Sequence, residues 1–229
     1  MTNLFDHSSI TGIHEADLIK QLLADVSWPS RIVRQRGIPD DAIAFQGVPL
    51  AGLSTGVEGD IDILLCSPNR PDLATAIEVK RVKVGPNALL SGDPNRLREL
   101  KGGVRQANLH AKIGFSQVYL YVFVVVDSRS ETLKQDAWAG SSPGLRERIS
   151  NAVSVTGLHD RVGLFHHQFI QWEDYAPLGV GGYFGHLIRP AQPETQPPEL
   201  TQWVADVAMT RTGISLSNGV QKTSQSPRA

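Results

Sequence analysis

Two apolar runs separated by a short proline turn constrain this chain more than any other feature. Asp60–Ser67 begins as an alternation of acid and aliphatic residues and becomes fully apolar; Ala74–Val84 follows after Pro68–Asp72. Runs of this length bounded by turn residues read as two strands of an antiparallel hairpin entering a core. A third run, Val118–Val126, is rich in Val and Tyr and reads as a central strand. Between the hairpin and this run, Leu97–Gly114 reads as a helix, although Gly102 and Gly103 should each loosen it by about 1 kcal/mol relative to alanine. A strand, a helix and another strand in that order allow a parallel crossover within one sheet.

Upstream, Ile13, Ala16, Leu18, Ile19, Leu22, Leu23 and Val26 recur at helical spacing, with Thr11 placed as a cap and Trp28-Pro29 as a stop. Ala42–Gln46 reads as a short strand and the glycine-bearing Gly47–Gly59 as a loop or hairpin region. The expected order is therefore helix, three meandering strands, helix, strand: an α/β fold with a mixed central sheet flanked by helices. Downstream the pattern weakens. Leu145–Val153 reads as helix, Val162–Gln171 as strand, Leu178–Ile188 as a hairpin or loop, and Glu199–Met209 as a short amphipathic helix. Pro190–Pro198, with four prolines, reads as a linker, and Thr210–Ala229 as a polar disordered tail. The expected organisation is one domain over 1–190, with its core in 13–127 and a C-terminal extension in 128–190, followed by the linker, helix and tail of 191–229.

Composition limits the class. With 229 residues, 41% hydrophobic and 20% charged, the chain has the makings of an ordinary globular domain. No apolar run approaches the roughly 18–20 residues that a membrane helix needs, and the N-terminus lacks the layout of a secretory signal. The single cysteine, Cys66, excludes an internal disulfide and a cysteine-built zinc site; it lies in an apolar run and reads as packing. A cytoplasmic, membrane-free protein is expected. The net charge of −1 provides no large constitutive basic surface, so any nucleic-acid contact must be local.

The chemistry concentrates in the hairpin. Asp60 and Asp62 share one face of the first strand; Glu78 and Lys80 share one face of the second. Pairing across the turn brings Asp62 toward Glu78 and Lys80 among apolar neighbours. Charged side chains in such a setting are rare unless paired or bound to metal. Mg²⁺ takes one or two carboxylates plus waters and phosphate oxygens. Asp62, Glu78 and the carbonyl of Val79 can supply the protein ligands, and Lys80 can orient a water or neutralise developing charge. The competing reading is a surface hairpin with a cross-strand salt bridge.

Gly-Asp-Ile-Asp at 59–62, a turn, then Glu-Val-Lys at 78–80 resembles the PD-(D/E)XK nuclease superfamily, which includes restriction endonucleases and Holliday-junction resolvases. The resemblance covers about residues 13–127, and the expected element order matches the family's α-β-β-β-α-β core. It implies a restriction-endonuclease-like fold with Asp62, Glu78 and Lys80 in the family's aspartate, glutamate and lysine positions, Asp60 being the alternative aspartate. It implies Glu15 on the first helix as an extra metal ligand and Gln106 on the second helix as an assisting residue. The implied activity is metal-dependent hydrolysis of phosphodiester bonds with Mg²⁺, Mn²⁺ being a substitute, on DNA ahead of RNA, in restriction, repair or phage defence. Members of the family also act as homodimers.

Phosphate-contact candidates are Arg81 and Lys83, which continue the strand past the site, and Lys101 and Arg105, which share a helical face with Asn108 and Lys112. Arg31, Arg34 and Arg36 form a further basic cluster. Adjacent His166 and His167 point to opposite faces of a strand and cannot easily share a metal. Two other readings stay open: a catalytically silent nucleic-acid- or protein-binding module, and a toxin or defence effector controlled by a partner protein.

Overall fold

A computed structural model describes residues 14–24, 38–53, 59–84, 100–127, 143–171 and 182–216. In chain order these form α1 (Glu15–Ala24), β1 (Ile43–Pro49), β2 (Asp60–Ser67), β3 (Arg70–Val84), α2 (Leu100–Ile113), β4 (Gln117–Asp127), α3 (Pro143–Val155), β5 (Gly163–Gln171), β6 (Gly182–Arg189), α4 (Pro198–Thr210) and β7 (Ile214–Ser215). Thr11, Arg31, Arg34 and Arg36 lie outside the described residues.

The strands make one mixed seven-stranded sheet in the order β6-β5-β4-β3-β2-β1-β7. β1, β2 and β3 form the antiparallel meander, α2 crosses over to β4 parallel to β3, and α3 crosses over to β5 parallel to β4. β6 returns antiparallel to β5, so the segment read as a hairpin or loop over 178–188 is a single strand in its described part. β4 sits between two long partners, and Val118–Val125 are buried throughout, which explains why its sequence is apolar without alternation.

Each face has its own core. On one side α2, α3 and α4 pack Leu100, Val104, Ala107, Ile149, Val153, Leu200 and Val204 against Leu64, Ala76, Leu120 and Val122. On the other, α1 packs Leu18, Ile19, Leu22 and Leu23 against Ile63, Ile77, Val79 and Tyr121. A fully buried aliphatic side chain contributes about 1.5–3 kcal/mol, so α1 is held on by its stripe despite its short length. Cys66 is fully buried, and burial pushes its thiol up to about 12, as expected of a packing residue. No helix among the described residues is long and apolar enough to cross a membrane.

Several boundaries differ from the sequence expectation for identifiable reasons. β3 starts at Arg70, because the hairpin turn needs only Pro68 and Asn69, both Asn69 and Arg70 donating their backbone N–H to Ser67 Oγ. β1 runs on to Pro49 because Gly47 accepts φ +58, a conformation that side chains with Cβ disfavour. The segment 190–197, expected as a linker, is tied to the domain. Glu194 N–H donates to Ser116 O, and the Gln196 side chain accepts from Ser116 N–H and donates to Pro71 O. α4 then buries Leu200, Val204 and Val207, and β7 pairs with β1. The helix and the start of the expected tail thus belong to the same sheet and core; residues 217–229 lie outside the described residues.

Candidate active site

The site forms where β2 and β3 part. Their backbones pair at Leu65↔Thr75, Leu64↔Ala76 and Ile63↔Ile77. One residue further, Asp62 Oδ2 accepts the Val79 N–H at 2.7 Å, so a carboxylate stands where a strand carbonyl would otherwise serve the ladder. The side-chain alternation shifts at the same level. Ile61 and Leu64, three residues apart, share one core, as do Phe45 and Val48 on β1. The left-handed Gly47 lies level with Asp62, between the pairs Gln46↔Ile63 and Val48↔Ile61. This shift sets Asp62 between the faces, at the open end of the β2–β3 seam.

Glu78 is fully buried on β3, beneath α2. Lys80, two residues on, places Nζ 2.9 Å from Glu78 Oε1 and 3.1 Å from Glu15 Oε1. Glu15 comes from the first turn of α1; its Oε2 also accepts the Arg81 backbone N–H at 2.7 Å. α1 is anchored beside the site by a Gln46 side-chain donation to Ala16 O. Two carboxylates therefore pair with one ammonium, and the charge of Asp62 also acts on it.

Burial, reinforced by the negative charges of Glu78 and Glu15, raises the Asp62 carboxyl to about 7; the Val79 N–H and Lys80 resist the rise. For Lys80, burial works to lower the pKa, but Glu78, Glu15 and Asp62 together outweigh it and hold the ammonium above its ordinary range. Glu78 Oε1 is taken by the Lys80 ammonium at 2.9 Å, whereas the buried Oε2 has no hydrogen-bond partner. Buried carboxylates with unfilled oxygens and surplus negative charge are the setting in which a cation is stabilising. Among the described residues, no three His, Cys, Asp or Glu side chains converge as a ready-made metal cage. A hard cation such as Mg²⁺ does not require one, since it keeps several waters and takes one or two carboxylates. Asp62 and Glu78 fit that donor set, with the Val79 backbone between them.

Of the sequence candidates, Asp62, Glu78, Lys80 and Glu15 are brought together. Asp60 is exposed at the start of β2, paired with Pro49. Gln106 is half-buried on α2 and lines a cleft of about 600 Å³ with Gly59, Arg105 and Lys112. Lys101 and Arg105 are exposed on the outer side of α2. Asn108, read with that basic face, instead donates to Gly157 O and accepts the His159 N–H, fastening α2 to the turn after α3. Arg81, by strand alternation, lies on the α1 side of the sheet, opposite Lys80, and its Nη1 is buried. The Lys83 side chain lies outside the described residues.

Sequence reasoning missed two residues. Gly103 lies against Lys80: a Cβ there would overlap Lys80 Cγ and sit 3.1 Å from Leu120 Cδ1. The glycine is what lets the lysine stem lie flat under α2. His110, seven residues on, is 1% exposed, with Nε2 3.5 Å from Glu78 Oε2. The available signal was its position: Leu100, Gly103, Val104, Ala107 and Ala111 form a buried stripe in which residue 110 also falls. His166 and His167 do split between the two faces, His167 stacking on Phe123 with centroids 4.7 Å apart while His166 lies 6.2 Å from His186.

No protein-family model matches this chain. No curated protein matches it either.

Proposed function

We propose that this chain is a divalent-metal-dependent nuclease with a restriction-endonuclease-like core of the PD-(D/E)XK type. The observation that carries the reading is the meeting of Asp62, Glu78 and Lys80 at the parted end of β2 and β3, with Glu78 fully buried and its Oε2 without a hydrogen bond. The order α1-β1-β2-β3-α2-β4 supports it.

In this reading Asp62 and Glu78 hold Mg²⁺ or Mn²⁺, with the Val79 carbonyl as a further ligand. The metal supplies an acidified water and charge balance on the phosphate. Lys80, released from its pairing with Glu78, donates to the attacking water and offsets the charge that grows on the phosphoryl oxygens. Glu15 keeps the Lys80 ammonium at the seam and fixes the β3 backbone at Arg81. Lys101 and Arg105, exposed on α2, would meet the phosphate backbone of the substrate, DNA being the expected one.

One observation favours a silent binding module: Lys80 is paired with two carboxylates, so its charge is satisfied internally. The two readings separate on incubation of the protein with linear, supercoiled and single-stranded DNA and with RNA, in Mg²⁺, Mn²⁺ or EDTA. Cutting that requires the metal is expected. Retention of DNA in a gel shift without cutting under either metal would favour the silent module.

A further inference from the structure

His110 and Glu78 are two buried polar groups that face one another. Glu78 is 0% exposed and His110 is 1% exposed, and neither ring nitrogen of His110 nor Oε2 of Glu78 has a hydrogen-bond partner. The contact between Nε2 and Oε2 is 3.5 Å, a few tenths of an ångström longer than a formed N–H···O bond. Catalytic contacts are often this loose before ligands bind and tighten afterwards. The ring is confined from behind: Phe115 meets it edge-on at 6.2 Å and 90°, and Trp203 of α4 meets Phe115 at 6.2 Å and 73°. His110 cannot turn to water, and its Nε2 faces the carboxylate.

The other oxygen of Glu78 is engaged differently. Oε1 points to Lys80 Nζ, on the side where Asp62 and Glu15 also act. The two oxygens therefore have different roles, one toward the helix and one toward the seam.

Resting on the nuclease reading above, we infer that His110 is a positioning residue for Glu78: its Nε2–H holds Oε2 and so presents Oε1 to the divalent cation. Outer-shell donors of this kind orient a ligating carboxylate and typically contribute about 10- to 100-fold in metal affinity. The inference also gives the C-terminal helix a task, because Trp203 and Phe115 brace the ring that aims the ligand.

The test is Mn²⁺ affinity, measured by calorimetry and by the electron-spin resonance of free Mn²⁺ on the full chain, for wild type, His110→Met and His110→Gln. Methionine fills the space without a donor; glutamine can place an amide N–H near the position of Nε2. Expected is a loss of about 10- to 100-fold in Mn²⁺ affinity for His110→Met, with substantial recovery in His110→Gln, both melting near wild type. If His110→Met does not fold, His110→Asn, whose amide is too short to reach Oε2, takes its place with the same expected loss. Affinity within twofold of wild type in the donor-less variant, or equal loss in the glutamine and donor-less variants, would overturn the positioning role while leaving the nuclease reading intact. Wild-type protein that binds no Mn²⁺ and cuts nothing would instead overturn the nuclease reading, and this inference with it.

Discussion

The two ends of the β2–β3 hairpin use similar residues to opposite effect. At the turn end, Asp41 accepts from Ser67 Oγ at 2.8 Å and from Asn69 Nδ2 at 2.7 Å, and Arg70 forks onto both oxygens of Asp72 at 3.0 and 2.9 Å. Those hydrogen bonds hold the carboxyls of Asp41 and Asp72 below their ordinary values. At the seam end, burial and neighbouring carboxylates raise Asp62, and Oε2 of the buried Glu78 lacks a hydrogen bond. Solvent and local donors complete the first set, so it serves to shape a turn. The second set holds three carboxylates against the single ammonium of Lys80, and on the proposed reading a cation would complete it.

This contrast can be broken first at Asp62. Asp62→Ala should lower metal-dependent cleavage by at least about 100-fold, comparable to loss of a key electrostatic group, while the far-ultraviolet circular dichroism is unchanged. Cleavage within a few-fold of wild type would reduce the seam to a second structural cluster.

The adjacent glycines of α2 sharpen the comparison within one helix. Gly103→Ala should displace Lys80 and cost about tenfold or more in cleavage rate, since small misplacements of reacting groups are expensive. Gly102→Ala meets open space and should raise stability by about 1 kcal/mol at unchanged activity. Equal effects of the two substitutions on cleavage would show that the lysine stem does not depend on that contact.

Proton linkage distinguishes the ends by sign. Asp62 is raised from 3.8 to about 7 in the fold, so between those values the folded chain holds a proton that the unfolded chain has released. Its stabilising contribution is full below the lower value and is lost as pH rises through about 7. The groups around it are Glu78 and Lys80 on β3, Glu15 on α1 and, beyond Glu78, His110 on α2. In EDTA, Asp62→Asn should therefore melt higher than wild type at pH 8, by about 1–3 kcal/mol, with the difference shrinking toward pH 5. A pH-independent difference would remove the buried-carboxylate account. Asp41 has the opposite sign: its contribution is present above its ordinary pKa and fades on acidification. Asp41→Ala should lower the melting temperature slightly, measured at pH 7, and leave cleavage untouched; this is the smallest effect expected.

The legibility of these features in the sequence follows the range of the interactions. Asp62, Glu78 and Lys80 could be placed because strand alternation and a short turn fix their relative positions over a few residues. β4 could be placed because nine consecutive residues from Val118 to Val126 are apolar. The docking of 190–197 could not: prolines report local stiffness, whereas Gln196 is held by Ser116 and Pro71, far away in the chain. His110 was hidden for a related reason, since a histidine in a helical stripe has the same local pattern whether it meets a carboxylate or merely fills space.

The most direct test of the central claim is cleavage by wild type and Lys80→Ala, side by side, on whichever nucleic acid wild type prefers, with Mn²⁺ and with EDTA. The account predicts cutting by wild type with Mn²⁺ only, and its loss in a Lys80→Ala protein that still folds. Equal cutting by both proteins, or cutting in EDTA, would contradict it.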